Sequence, residues 1–207
     1  MTDDTSDSVR AQARPADPTP VAYADPAPLG LAGFAMTTIL LSIINTNLLK
    51  EPGAIFPVLG LAAFYGGLAQ FVAGFFEFRR GNTFGATMFG SFGAFWLTYW
   101  WLVPRVAVVG DAHNALGLFL LAWGIFSAYM AVAALRTSLA VLAVLVLLAI
   151  TFILLAIGEF QGGPAPHVVT RIGGWSGIAS GLVAWYASAA AVINTTHRRT
   201  LLPTWPR

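Results

Sequence analysis

Long apolar runs broken by short polar joints set the pattern of this chain. Six stretches are long enough to cross a hydrocarbon layer of about 30 Å, which takes roughly 20 helical residues; they lie near Leu29–Leu49, Ile55–Phe78, Phe84–Val103, Leu116–Leu135, Leu139–Ile157 and Val168–Ile193. The joints are Lys50-Glu51-Pro52-Gly53, Arg79-Arg80-Gly81-Asn82, Pro104-Arg105, Arg136-Thr137-Ser138 and Gly162-Gly163-Pro164-Ala165-Pro166. Glycine and proline interrupt helices, and charge is driven out of hydrocarbon. The pattern predicts an all-α polytopic membrane protein whose six transmembrane helices form a bundle around a narrow pore.

Polar residues inside the runs recur at helical spacing. In the first, Phe34, Thr38, Ser42 and Asn45 form a polar stripe headed by an aromatic ring. In the second, Gly66, Gln70, Gly74 and Glu77 share a face, with Tyr65 beside it. A carboxylate near the end of a span needs a partner or water. Arg79 and Arg80 follow Glu77 directly, so an interfacial ion pair explains it as well as a functional role does. The third run sets Gly85, Gly90 and Gly93 among Phe84, Phe89, Phe92, Phe95 and Trp96, and the sixth carries Gly173, Gly177 and Gly181. Such small residues serve close helix packing. The fifth run is nearly uniform Leu, Val and Ala, where Leu148 could act as a constriction. Trp100, Trp101, Trp123, Trp175 and Trp185 read as belt or packing residues, and Glu159 as an interfacial charge.

Ahead of the first run stands Asp25-Pro26-Ala27-Pro28-Leu29-Gly30-Leu31. Its two prolines forbid helix before Pro28, which itself suits a first helical turn. The N–H groups of Leu29, Gly30 and Leu31 then lack intrahelical partners and form a small positive pole suited to an anion. Local physics accounts for the stretch equally as a rigid helix start and favours that plainer reading.

Composition agrees with the pattern. Of 207 residues, 57% are hydrophobic and 10% charged, where soluble domains carry about 25% charge; the mean hydropathy is +0.72. Orientation follows the basic residues. Arg10, Arg14, Arg79, Arg80, Arg136, Arg198, Arg199 and Arg207 fall on one side, against Lys50, Arg105 and Arg171 on the other, eight against three. Both termini are expected in the cytoplasm, with the chain in the cell membrane. Residues 1–20 lack the apolar core of a signal peptide, so residues 1–24 read as a disordered tail, 25–200 as the transmembrane transport domain and 201–207 as a short C-terminal tail.

Several chemistries find no residues to carry them. The chain has no cysteine, hence no thiol nucleophile or thiolate metal site. His113, His167 and His197 show no metal-ligand spacing, and neither a phosphate-binding loop nor a hydrolase elbow is present. A net charge of +2, scattered along the chain, gives no footprint for nucleic acid. The expectation is a passage for a small solute in the lipid bilayer, not an enzyme, with no cofactor and no metal.

The residues also carry a resemblance. Pro26-Ala27-Pro28-Leu29-Gly30-Leu31, Gly33-Phe34 and Thr37-Thr38, then Phe64-Tyr65-Gly66-Gly67-Leu68-Ala69-Gln70, Ala73-Gly74, Glu77, Gly81-Asn82-Thr83-Phe84-Gly85 and Ser91-Phe92-Gly93-Ala94-Phe95-Trp96-Leu97-Thr98 resemble the acetate uptake transporter family, also called GPR1/FUN34/YaaH. Weaker echoes are Trp123-Gly124, Leu155-Ala156-Ile157-Gly158 and Gly174-Trp175. The resemblance covers roughly residues 25 to 200. It implies a six-helix subunit in a homo-hexamer, passing acetate and related short carboxylates, often succinate too, coupled to protons or as an anion channel. It places Ala27, Pro28, Leu29, Gly30 and Leu31 on the substrate path and matches Phe34, Phe92 and Leu148 to an apolar constriction. Gln70 and Glu77 fall on the family's polar positions. Thr38, Asn45, Tyr65 and Gln70 complete the expected path, and Glu77 is the candidate proton carrier. Two positions depart from the family: Asp25 stands for the usual Asn and Phe92 for the usual Tyr. A carboxylate at an anion's entrance repels it unless protonated or engaged in capping. A Phe makes the constriction drier and predicts a narrower preference for small acids over succinate. Carrier and channel share all these residues; a sensor without transport is the third reading.

Overall fold

The computed structural model describes residues 23–109, 112–163 and 166–205; of the expected tail of residues 1–24, only Tyr23 and Ala24 fall among them. The described residues are nearly all helical. The elements are α1 (Ala27–Asn45), a 3₁₀ turn (Pro52–Ala54), α2 (Ile55–Ala63), a π-helical segment (Phe64–Ala69), α3 (Gln70–Arg79), α4 (Thr83–Val109), α5 (His113–Ala134), α6 (Leu139–Phe160) and α7 (Val168–His197). From the 3₁₀ turn through α3 the chain forms one span, Pro52–Arg79, so the helices make six candidate membrane crossings, as the apolar runs predict.

Several ends differ from expectation: α1 stops at Asn45, four residues short of Leu49, while α4 and α7 run furthest past their expected ends. Pro104 does not close the third crossing: α4 continues through it to Val109. A proline inside a helix leaves a carbonyl of the preceding turn without its N–H. For Pro104 that carbonyl is the one of Trp100; one residue on, the Arg105 guanidinium donates to the Trp101 carbonyl at 2.5 Å and lies over the Trp101 ring at 4.3 Å. At the other end of the chain, α7 runs to His197 and stops where Arg198 turns left-handed, at φ 52°.

The crossings stand in a ring in chain order. Helix α1 packs on α7, α7 on α6 and α6 on α5; in the other direction α1 meets the second span, which packs on α4. Small residues set these contacts. A Cβ at Gly174 would sit 2.7 Å from the Thr46 nitrogen, and Gly177 and Gly181 similarly abut Ser42 and Ile39 of α1. Gly173, expected to join that row, faces Leu154 and Leu155 of α6 instead, and Gly174 takes its place against α1. Between α3 and α4 the backbones touch through Gly74 and Gly93: a Cβ on Gly93 would fall 2.6 Å from the Phe71 nitrogen.

The ring closes differently between α4 and α5. These helices stand apart, and aromatic side chains fill the seam: Phe95 lies 5.8 Å from Phe119 and 5.2 Å from Trp123, and Phe92 lies 5.2 Å from Phe126. Residues 201–205 fold back on the bundle. Asn194 Oδ1 accepts from the Leu201 and Leu202 N–H groups, Tyr186 donates to the Pro203 carbonyl, and the Leu139 N–H donates to the Trp205 carbonyl.

These contacts separate two kinds of glycine. Gly93→Ala drives a methyl into main chain that cannot yield, and is expected to lower the detergent-solubilised melting temperature or prevent folding. Gly60 has nothing within 4 Å of its Cβ position, so Gly60→Ala gains up to about 1 kcal/mol of helix propensity. Thermal unfolding of both variants checks this; equal effects would contradict the packing account.

Candidate functional site

Inside the ring lie two cavities in line. The wider, of about 120 Å³, opens toward the end bearing Lys50, Arg105 and Arg171, and Phe34, Thr38, Ser42, Asn45, Trp96 and Leu148 are among its lining. At about 30 Å³ per water this is room for roughly four waters, or for one small organic acid. The narrower, about 10 Å³, lies on the N-terminal side and is lined by Phe34, Gln70, Phe92 and Leu148 with other apolar side chains. Phe34 and Leu148 border both, so these two side chains form the partition. Phe92 packs beside Phe34 with ring centroids 5.9 Å apart. All three are nearly fully buried. The residues matched to a constriction thus meet, although they come from α1, α4 and α6.

The polar lining is distinctive in what it lacks. Thr37, Ser127 and Thr151 spend their hydroxyls on the carbonyl one turn back, at 2.8 Å in each case. Thr38 is buried yet its Oγ1 has no hydrogen-bond partner, and the same holds for Trp96 Nε1. Both side chains border the wide cavity. Gln70 Oε1 is likewise unpartnered, beside the narrow one. An unanswered polar atom in a dry interior costs roughly 1–3 kcal/mol. The hydroxyl and the indole N–H are themselves buried, so the aromatic and aliphatic walls around them must shift before a solute reaches either donor. Sequence reading missed Trp96, because an indole among phenylalanines reads as packing.

The segment before α1 behaves otherwise than its sequence suggests. The helix begins at Ala27, one residue earlier than the proline argument gives. Asp25 Oδ1 accepts from the Ala27 N–H at 3.1 Å, and the Gly30 N–H donates to the Pro26 carbonyl at 3.2 Å. The expected row of bare donors at Leu29, Gly30 and Leu31 is therefore broken. Asp25 also forms an ion pair with Arg80, so its charge is answered by a guanidinium. Of the residues assigned to the path here, Leu31 borders the narrow cavity, Ala27 packs on the core, and Gly30 is held against the Phe89 ring. Pro28, Leu29 and Tyr65 do not join them: they line a groove on the outside of the bundle with Ser188 and Thr195.

Glu77 is fully buried but borders neither cavity. Its Oε2 accepts from Asn82 Nδ2 at 2.8 Å and lies 4.0 Å from the Arg80 guanidinium, while Oε1 has no partner. Asn82 in turn caps α4, its Oδ1 accepting from the Gly85 N–H at 3.1 Å. Asp25, Arg80, Glu77 and Asn82 thus tie the N-terminal segment to the turn between α3 and α4. No cluster of three or more metal-ligating acids, histidines or cysteines occurs among the described residues.

A family model described as the GPR1/FUN34/yaaH family matches residues 9–206. The chain is 42% identical over 184 residues to the succinate-acetate/proton symporter SatP of Escherichia coli (strain K12), spanning 87% of this chain and 94% of that protein. It is 36% identical over 199 residues to acetate permease A of Emericella nidulans, spanning 87% and 65% respectively. Among solved structures it matches that of the bacterial acetate channel SatP with a TM-score of 0.81 at 38% identity, covering 88% of this chain and 99% of that one.

The unanswered hydroxyl has a measurable signature. Thr38→Val deletes a group for which the fold makes no bond and is expected to leave the melting temperature unchanged or raise it. Asn82→Ala removes a capping bond and the Glu77 partner, and is expected to cost about 1–3 kcal/mol. A fall for Thr38→Val as large as for Asn82→Ala would mean the hydroxyl serves the fold.

Proposed function

The chain belongs to the GPR1/FUN34/yaaH family, and on that premise we propose that it passes acetate and related short-chain carboxylates, succinate among them, across the cell membrane by proton-coupled symport. The observation that carries this reading is the pair of unpartnered donors, Thr38 Oγ1 and Trp96 Nε1, in a small cavity that ends at Phe34 and Leu148. Once the surrounding side chains shift to uncover these buried atoms, a carboxylate takes both donors while its short tail rests on the rings. Among the described residues no cation borders the cavity, so binding is weak enough for release. At the partition the solute sheds water, and a protonated acid loses less than an anion does. Gln70, on the far side of the partition, can receive it. Glu77 is the proton-coupling candidate, linked through Arg80 to Asp25 at the N-terminal end of the bundle.

The chain is a multi-pass membrane protein, with both termini in the cytoplasm by the distribution of Lys and Arg. The cavity bordered by Asn45 then faces the outside. A homo-oligomer, as a hexamer, fits the apolar outer surface, where Phe64, Phe75 and Phe78 are exposed. Passive passage of an anion or neutral solute is the second reading. It is favoured by the single partition, since rotation of two side chains would join the cavities.

Proteoliposome uptake of labelled acetate, with and without an imposed proton gradient, decides among these. Saturable uptake driven uphill by protons, lost as uphill uptake in Glu77→Gln, is the expected outcome. Non-saturating flux indifferent to the gradient would establish the channel, and absence of protein-dependent flux would leave a sensor. The same assay tests the constriction: Phe92→Tyr adds a hydroxyl beside Phe34 and is expected to raise succinate uptake relative to acetate by about two- to tenfold, the worth of one hydrogen bond. An unchanged ratio would sink the idea.

A further inference from the structure

Glu159, to which the sequence gives no role beyond an interfacial charge, borders the wide cavity at its outer end. Among the described residues it is the one charged side chain in that lining. Its Oε2 lies 3.0 Å from His113 Nδ1, across the contact between α5 and α6, and the two side chains are 29% and 36% exposed. The pair is therefore reached by water and also touches the passage.

A fixed carboxylate beside a passage for carboxylates repels its own cargo. An imidazole partner turns that repulsion off and on, because histidine is the side chain that gains and loses its charge near neutral pH. When His113 is protonated, its Nδ1–H donates to Glu159 and balances the charge. When the ring is neutral, the negative charge stands alone at the mouth. We propose that His113 and Glu159 form a protonation-controlled selectivity filter at the outer mouth, admitting carboxylate anions when the outside is acidic and rejecting them when it is alkaline.

The neighbouring groups leave this control to the pair. From α4, Tyr99 borders the same cavity, a neutral phenol in this range, and Arg105 is engaged with Trp101. From the start of α7, Arg171 donates to the Thr46 carbonyl at 3.3 Å and His167 lies 2.8 Å from the Gly162 carbonyl. From α1, Asn45 is uncharged. Asp111 lies outside the described residues.

The inference rests on the transport reading, and one experiment separates their failures. Acetate exchange is measured in proteoliposomes with equal pH on both sides, from pH 5.5 to 7.5, at constant acetate-anion concentration. The parent protein is expected to slow roughly three- to tenfold over that range. Glu159→Gln is expected to make the profile shallower by holding nearer the fast level at high pH, and His113→Gln to make it shallower by starting nearer the slow level at low pH; the slope that proton coupling itself imposes remains in both. The double variant is expected to follow Glu159→Gln, and Asp111→Asn to keep the parental profile. Exchange in the parent with an unaltered profile in Glu159→Gln or in His113→Gln overturns the filter alone, as does a flat profile in Asp111→Asn. No protein-dependent exchange in the parent overturns the transport reading and the filter with it. Monodisperse elution of each variant shows that it is folded.

Discussion

A polar atom in the membrane interior must be answered, and there is little water to answer it. Helices settle this for the main chain by bonding to themselves. Side chains settle it one at a time: Thr37, Ser127 and Thr151 reach back a turn, Ser180 crosses to the Val144 carbonyl and Ser188 to that of Pro28. Set against that thoroughness, atoms of Thr38, Trp96, Gln70 and Glu77 stay unanswered among the described residues. The first two side chains border the wide cavity and Gln70 the narrow one, on either side of the partition made by Phe34 and Leu148.

The packing around that step is uneven in kind. Where α1 meets α7, and α3 meets α4, main chain lies almost against main chain through glycine, and little can shift. Between α4 and α5 the contact is made by rings, which can tilt without parting two backbones. Phe92 belongs to both regimes: it borders the narrow cavity and leans on Trp123 and Phe126 of α5. The partition is thus backed by the part of the wall that can give.

Much of this was legible in the sequence because hydrocarbon imposes so coarse a pattern. The six crossings follow from run length, and the buried face Gly66, Gln70, Gly74 and Glu77 from spacing. Phe34, Phe92 and Leu148 came from resemblance, and the structure brings them together. What stayed hidden depends on partners distant in the chain. His113 and Glu159 are 46 residues apart, Asp25 and Arg80 55, and no local pattern relates either pair. Asp25, a puzzle as a lone charge, is ordinary once Arg80 is beside it. The choice of Gly174 over Gly173 against α1 turns on contacts that no local pattern specifies.

The π-helical segment from Phe64 to Ala69 carries a consequence for how this chain can change. A π turn takes in one residue more than an α turn over the same rotation, so the residues after it keep the facing that a regular helix one residue shorter would give them. Losing one residue from Phe64–Ala69 would therefore leave Gln70 and Glu77 on the inward face, whereas losing one from a regular turn would rotate everything beyond it by about 100°. The span can change length at this one place without turning its polar face toward lipid.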